Sequence, residues 1–308
     1  MNNEAAPGTP EYSNIWRRLG AFSIDVLVIG IVGAIAGYFL FDQFVQLGGW
    51  GRVVGFALAL VYFGFLNSSV GNGQTLGKRA LGIKVVDANA STLPPGKSIL
   101  RFLPLGIPWI LNGASFPQEM LMSPMMYVLS LAIFGLGFGL IYLFFFNRPT
   151  RQSLDDLVVD SFVVRSGTVG PISAPPLRRV HVVVVMVLVL SSASLPLFAK
   201  RLISQQPFAG LMDSVNAVYT EPVVAHAIVS KGWSTSGGVK TTYLQVVANI
   251  RERRTDDREL ARGLATKVLA ADPSSRTLDV VQVVLVYGYD IGIASASRTF
   301  AHDFKPGE

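Results

Sequence analysis

Residues 17–41 read RRLGAFSIDVLVIGIVGAIAGYFLF: two arginines, then a run from Leu19 to Phe41 whose one charge is Asp25. At 1.5 Å of rise per residue, a helix over that run covers about 30 Å of hydrocarbon. A secretory signal also begins with basic residues, but its apolar core is shorter and ends in a small-x-small cleavage site. This run has no such site and further apolar runs follow it, so the sequence predicts a retained first membrane span.

The rest of the chain agrees with that reading. Half of its 308 residues are hydrophobic and 15% are charged, where a soluble domain carries about 25%. A wholly soluble enzyme, a disordered chain and a disulfide-stapled module are thereby excluded. The chain has no cysteine, which removes thiol catalysis, cysteine-ligated zinc and iron–sulfur clusters; no cofactor is implied. The net charge is +6, yet no basic face suited to nucleic acid stands out.

Val53 to about Val70 reads as the second span. Residues 71–98 then carry Lys78, Arg79, Lys84 and Lys97 against Asp87, which puts this loop and the N-terminal tail (1–18) in the cytoplasm by the positive-inside rule. Residues 99–116 are apolar except for Arg101 and are broken by Pro104 and Pro108. They read as a proline-kinked span or as an interfacial helix. Residues 124–146 form the next span and lead into a stretch to Arg179 with five Arg against three Asp. If that stretch is cytoplasmic, residues 99–116 must cross. After a linker (167–179), residues 180–198 form the last span. Five crossings place the C-terminal domain outside; a four-crossing version places it inside. The expected fold class is an α-helical polytopic membrane bundle of four to five spans, with a small α+β or α/β extramembrane domain at 199–308.

That domain has a strand at 239–250, with Leu244, Val246, Ala248 and Ile250 on one side. Asp256 and Glu259 suggest a capping box before a helix lined by Leu260, Leu264, Val268 and Leu269, which Asp272-Pro273 ends. Val280 to Tyr289 is a second strand, Gly237-Gly238 a turn, and Met212 to Ile228 an element of open type. His226 and His302 lack a ligand-spaced partner and read as packing or surface residues. With no clustered catalytic set, the domain is expected to bind rather than catalyse.

In the membrane half, Asp25 is the residue that most needs a reason, because an ionisable group in a span is costly. Arg18 lies two turns earlier on the same face and is the nearest cation in sequence. Asp156 and Asp160 are four residues apart and would share a helical face, able in principle to hold a divalent ion. The loop from Gly71 to Lys78 invites comparison with a phosphate loop, but Arg79 occupies the Ser/Thr position and a membrane helix precedes it, so nucleotide binding is not expected. Residues 82–87 read as a short strand and turn at the membrane face.

Three ordered motifs tie these pieces together: Arg18-Leu19-x-Ala21-x-x-Ile24-Asp25, then Thr75-x-Gly77-Lys78-x-x-x-Gly82-x-Lys84-Val85-Val86, then Arg151-Gln152-x-x-x-Asp156 running into Val163-Val164. Over residues 12–166, and in the membrane domain 19–166, the chain resembles the RDD family of prokaryotic integral membrane proteins. The resemblance places the family's arginine and two aspartates on Arg18, Asp25 and Asp156, and Arg101 is similar to a recurrent arginine. Asp155 stands where members often have histidine, and Asp160 where glycine is common. The resemblance implies the prokaryotic cytoplasmic (inner) membrane, and cation/proton exchange has been suggested for members.

Two functional expectations follow. In the first, the protein is an envelope scaffold or sensor whose C-terminal domain contacts an envelope protein or cell-wall partner, and the motif charges are structural. In the second, it is a small cation or proton-coupled transporter, a homo-oligomer, in which Asp25 takes up the ion, Arg18 sets its affinity and Asp156 forms an entrance.

Overall fold

The computed structural model describes residues 12–114, 116, 120, 123–203, 205 and 210–306. The tail ahead of Tyr12, most of the turn before residue 123 and residues 204 and 206–209 of the expected C-terminal domain lie outside the described residues. The chain forms two compact units, one of Met1–Ile35, Arg52–Pro196 and Ile291–Ala294, the other of Ala36–Gly51, Leu197–Asp290 and Ser295–Glu308. The sequence had divided them at about residue 198. It did not foresee that Ala36–Gly51 and Ile291–Ala294 each belong with a distant part of the chain.

Among the described residues four helices are long and apolar enough to cross a membrane: Ile15–Phe39, Phe41–Leu66, Met125–Phe146 and Arg179–Leu202. Leu27, Ile31, Val187 and Leu190 on them are more than half exposed, as apolar residues facing lipid acyl chains are. The chain is thus a multi-pass membrane bundle with an extramembrane domain.

In the first unit, α1 (Ile15–Phe39) starts four residues before the apolar run because Asn14 Oδ1 accepts the Arg17 amide at 2.9 Å, an N-cap bond. The second membrane-length stretch comprises α2 (Phe41–Leu47) and a 3-10 turn at Gly48–Trp50, both counted with the second unit, and then α3 (Gly51–Leu66) of the first. It ends at Leu66, four residues short of the expectation. There Ser68 Oγ takes the Phe65 carbonyl at 2.6 Å and Asn67 Nδ2 the Phe63 carbonyl at 2.9 Å. A five-residue helix α4 (Leu76–Ala80) and strand β1 (Ile83–Val86) follow.

Helix α5 (Pro95–Leu111) runs through Pro104 and Pro108. It begins earlier than the sequence suggested, since Pro at the first turn is already set for a helix. It also stops earlier than residue 116, at Leu111, two residues before Gly113, whose φ is +79°. Helix α6 (Met125–Phe146) contains a π-helical turn at Leu131–Gly135. Then come the short α7 (Leu154–Val158), strand β2 (Phe162–Arg165) and the last span α8 (Arg179–Ile203). β1 and β2 pair antiparallel, with Val85 opposite Val163. Tyr12 bridges to Val164, Ser13 N donates to the Val163 carbonyl at 2.9 Å and Ile172 N to the Ala88 carbonyl at 2.7 Å. The expected linker is therefore anchored at Ile172. Ile83, Val85, Leu93 and Val163 form a small core there with Ala21.

The second unit has α9 (Leu211–Tyr219), β3 (Val224–Ser236), β4 (Val239–Ile250), α10 (Arg258–Ala271), β5 (Val280–Asp290) and β6 (Ser295–Phe304). The open element thus resolves into a helix and a strand. The sheet order is β3-β4-β5-β6, with β4 and β5 parallel and the outer pairs antiparallel. Helix α10 makes the crossover that a parallel pair requires. Leu244, Val246, Ala248 and Ile250 are buried as expected, alongside Val281, Val283 and Leu285. The buried stripe of α10 is Ala261, Leu264, Ala265 and Val268; Leu260 and Leu269 sit at its margins. Its N-cap is Asp257, whose Oδ1 accepts the Leu260 amide at 2.9 Å, not Asp256. Gly237 and Gly238 both have positive φ, the two-residue turn that a hairpin favours.

Candidate functional site

The motif charges lie on elements that meet in the first unit, and they sort into two nodes. At one node the Asp25 carboxylate on α1 is fully buried and receives three donors. Tyr62 Oη from α3 reaches Oδ1 at 2.7 Å, Thr75 Oγ1 reaches Oδ2 at 2.6 Å and Gly77 N reaches Oδ1 at 2.8 Å. Thr75 also caps α4 by accepting the Lys78 amide. A Cβ on Gly77 would lie 2.0 Å from the Ala21 carbonyl oxygen, so glycine is needed for α4 to approach α1. The loop that superficially resembled a phosphate loop is thus folded around a carboxylate of the same chain.

At the other node the Asp156 carboxylate, also fully buried, lies between two guanidinium groups. Arg18 Nη2 is 2.6 Å from Oδ2; Arg101 donates to Oδ1 from Nη2 at 2.6 Å and from Nε at 3.0 Å. Ser153 and Asp156 form a capping box at the start of α7. Arg101 Nη2 also pairs with Asp155 at 2.8 Å, and Arg18 Nη1 donates to the Arg151 carbonyl. Burial pushes the Asp156 pKa up, but Arg101 and Arg18 outweigh it and hold the carboxyl at about 2.

The expected link between Arg18 and Asp25 is absent. Two turns of α1 separate them, and each has a nearer partner on another element. Nor do Asp156 and Asp160 share a face: α7 ends at Val158, and Asp160 is exposed with φ at +52°. That left-handed conformation is one that glycine adopts at no steric cost.

Gly82 also has positive φ, +63°, and turns the chain from α4 into β1. Lys84 is on β1, opposite Val164, apart from both nodes. The Lys78 ammonium has no hydrogen bond or ion pair among the described residues. Burial first, then Arg101 and Arg18, lower its pKa to about 8 against the pull of Asp25 and Asp155. Ser161 Oγ accepts from Arg101 Nε at 3.2 Å and donates to Asp156 Oδ1 at 3.3 Å; it, Tyr62 and Ser153 do not stand out as site residues in the sequence. A lone tyrosine hydroxyl within an otherwise apolar second span is the signal that could have found Tyr62.

In the second unit His226 Nδ1 is 2.9 Å from Tyr219 Oη, and His302 Nε2 is 3.0 Å from the Thr255 carbonyl. Among the described residues no group of three or more His, Asp or Glu side chains is placed to hold a metal ion.

Residues 12–160 match the RDD family profile. No curated protein and no solved structure matches the chain. The matched range contains both nodes and the helices that carry them, while β2, α8 and the four-stranded sheet lie beyond it. Residues 12–160 are therefore an RDD family membrane domain, to which this chain adds a further span and a globular α/β domain.

Proposed function

We propose that the protein is a five-crossing anchor that holds its C-terminal α/β domain on the outer face of the cytoplasmic membrane, as an envelope scaffold or sensor. The observation that carries this reading is that both motif carboxylates are already satisfied within the chain. Asp25 has three donors and Asp156 two guanidinium groups, an arrangement that fastens elements together. A transported cation would have to displace those donors from a buried carboxylate, leaving them unsatisfied at a cost of about 1–3 kcal/mol each.

Chain parity supports five crossings. Tyr12, β1, β2 and the Ile172 segment are bonded together and so share one side. The chain leaves β1 and returns to β2 through a membrane-length α6. The return is possible only if the chain has already crossed once, and α5 is the helix available to do so. Its 17 residues span about 25 Å, sufficient for a slightly thinned bilayer. The last span α8 then leaves the shared side.

The sheet of the second unit has its helices on one face. Its other face includes the row Ile228, Val247, Val284 and Ala301, with Ile228 more than half exposed. A photo-crosslinking residue at Val247 in the full-length protein in cells should yield a discrete adduct with an envelope component. Cation/proton exchange in proteoliposomes that is abolished by Asp25→Asn, in a variant that still folds, would overturn the reading in favour of transport.

A further inference from the structure

A cavity of about 260 Å³ lies inside the first unit, at the low end of ligand-pocket size. Its two ends differ in chemistry. One is lined by Arg18, Lys78 and Arg101, with Asp155 and Asn67 beside them. The other is walled by Phe22, Leu105 and Leu140. Asp25 and Asp156 are fully buried behind this lining, so three cations and one carboxylate face the space.

Two polar atoms at this end have no hydrogen-bond partner among the described residues. The Lys78 ammonium makes no hydrogen bond or ion pair among the described residues, although the neighbouring arginines are paired. Asn67 is 3% exposed and its Oδ1 has no hydrogen-bond partner. Asn67 Oδ1 is buried, and a buried polar atom is seldom left unsatisfied without a reason; the Lys78 ammonium belongs to a partly exposed residue that lines the cavity, and the two ask for different things. An ammonium wants an anion, while an amide oxygen wants a hydroxyl or N–H donor.

Ile141 and Phe145 also line the cavity and are exposed on the span α6. The apolar end therefore opens sideways toward acyl chains rather than toward water. We infer that the cavity is a binding site for one anionic phospholipid, its phosphate held by Lys78 with Arg18 and Arg101, a headgroup hydroxyl given to Asn67, and its chains leaving past Ile141 and Phe145. A soluble phosphate would satisfy the cations but leave the apolar walls and the lateral opening unused. Arg18 is also positioned 5.2 Å from the centre of the Phe144 ring, so the ion-pair node and the cavity wall are joined. This site does not depend on what the C-terminal domain binds.

The test is native mass spectrometry of the full-length protein in detergent, titrated separately with phosphatidylglycerol, phosphatidylcholine and inorganic phosphate. A one-to-one phosphatidylglycerol adduct is expected at concentrations about tenfold below those needed for phosphatidylcholine. Inorganic phosphate in large excess should not displace it. Lys78→Gln removes the charge without breaking a protein contact and should erase the preference. Leu140→Trp fills the apolar end and should reduce binding of both lipids. Equal adducts with the two lipids, a preference unchanged in Lys78→Gln, or displacement by inorganic phosphate would overturn the proposal.

Discussion

Arg18 reaches across 138 residues of sequence to place Nη2 2.6 Å from Asp156 Oδ2, and Arg101 closes on the same carboxylate from the other side. One buried anion thus ties together the start of α1, the middle of α5 and the cap of α7. Arg101→Met removes one clamp from a carboxylate that has no solvent to turn to, which should cost about 3–5 kcal/mol. Thermal unfolding in detergent should register this as a large fall in midpoint. Asp156→Asn, which leaves two guanidinium groups facing an amide, should do the same.

The same node sets an acid limit. The folded pKa of Asp156, about 2, lies below the ordinary value for an unfolded chain, about 3.9. Its contribution is therefore fully present above that ordinary value and is lost as pH falls from about 4 toward 2. A pH series of unfolding midpoints should show this loss in the native protein and a weakened one in Arg101→Met.

At the Asp25 node the donors are a hydroxyl from a span, a hydroxyl from a loop and a backbone amide. Gly77→Ala puts a methyl 2.0 Å from the Ala21 carbonyl oxygen and should abolish the yield of monodisperse protein. Thr75→Val removes one donor from a buried anion and should cost about 1–3 kcal/mol. Asp25→Asn keeps an acceptor oxygen for Tyr62 and Gly77, so it should fold, which makes it the variant for separating structure from transport.

In the second unit Asp272 pairs with Lys231 and accepts from Ser275 Oγ at 2.8 Å. Burial raises its pKa, but Lys231 and the serine hydroxyls prevail and lower it. Stability from this group is present above the usual carboxylate range and is lost as pH falls below it. Asp272→Ala should lower the resistance of this domain to limited proteolysis by about 2–3 kcal/mol equivalent, with the membrane unit unaffected.

The absence of native cysteine makes the β1–β2 pairing directly testable. Lys84 and Val164 are register partners, so Lys84→Cys combined with Val164→Cys should form an intramolecular disulfide on mild oxidation. Lys84→Cys combined with Ser236→Cys should not.

Much of this was legible in the sequence, and the misses have a common cause. The spans, the alternation of Leu244 to Ile250 and the Gly237-Gly238 turn follow from hydrophobic period and local backbone freedom, which neighbours in sequence determine. The motif residues were found as a set, but Arg18 was matched with Asp25 because they share a helix face. Its true partner is brought in by the β1–β2 pairing, a contact between residues some eighty positions apart that no local pattern encodes. The N-cap at Asp257 instead of Asp256 and the end of α5 at Leu111 are boundary effects set by single side chains and by the positive φ of Gly113. Tyr62 and Asn67 were passed over because a single polar residue at a span reads as tolerable until its neighbours are known.

The central claim, that the C-terminal domain lies across the membrane from the Arg18–Asp156 node, is tested most directly by labelling with a membrane-impermeant maleimide. Ser91→Cys and Ser236→Cys each introduce one thiol at an exposed site, the first beside β1 and the second at the β3–β4 turn. The five-crossing account predicts that intact spheroplasts label Ser236→Cys and spare Ser91→Cys, and that inverted vesicles do the opposite. Labelling of both thiols from the same side would contradict it and place the domain with the node.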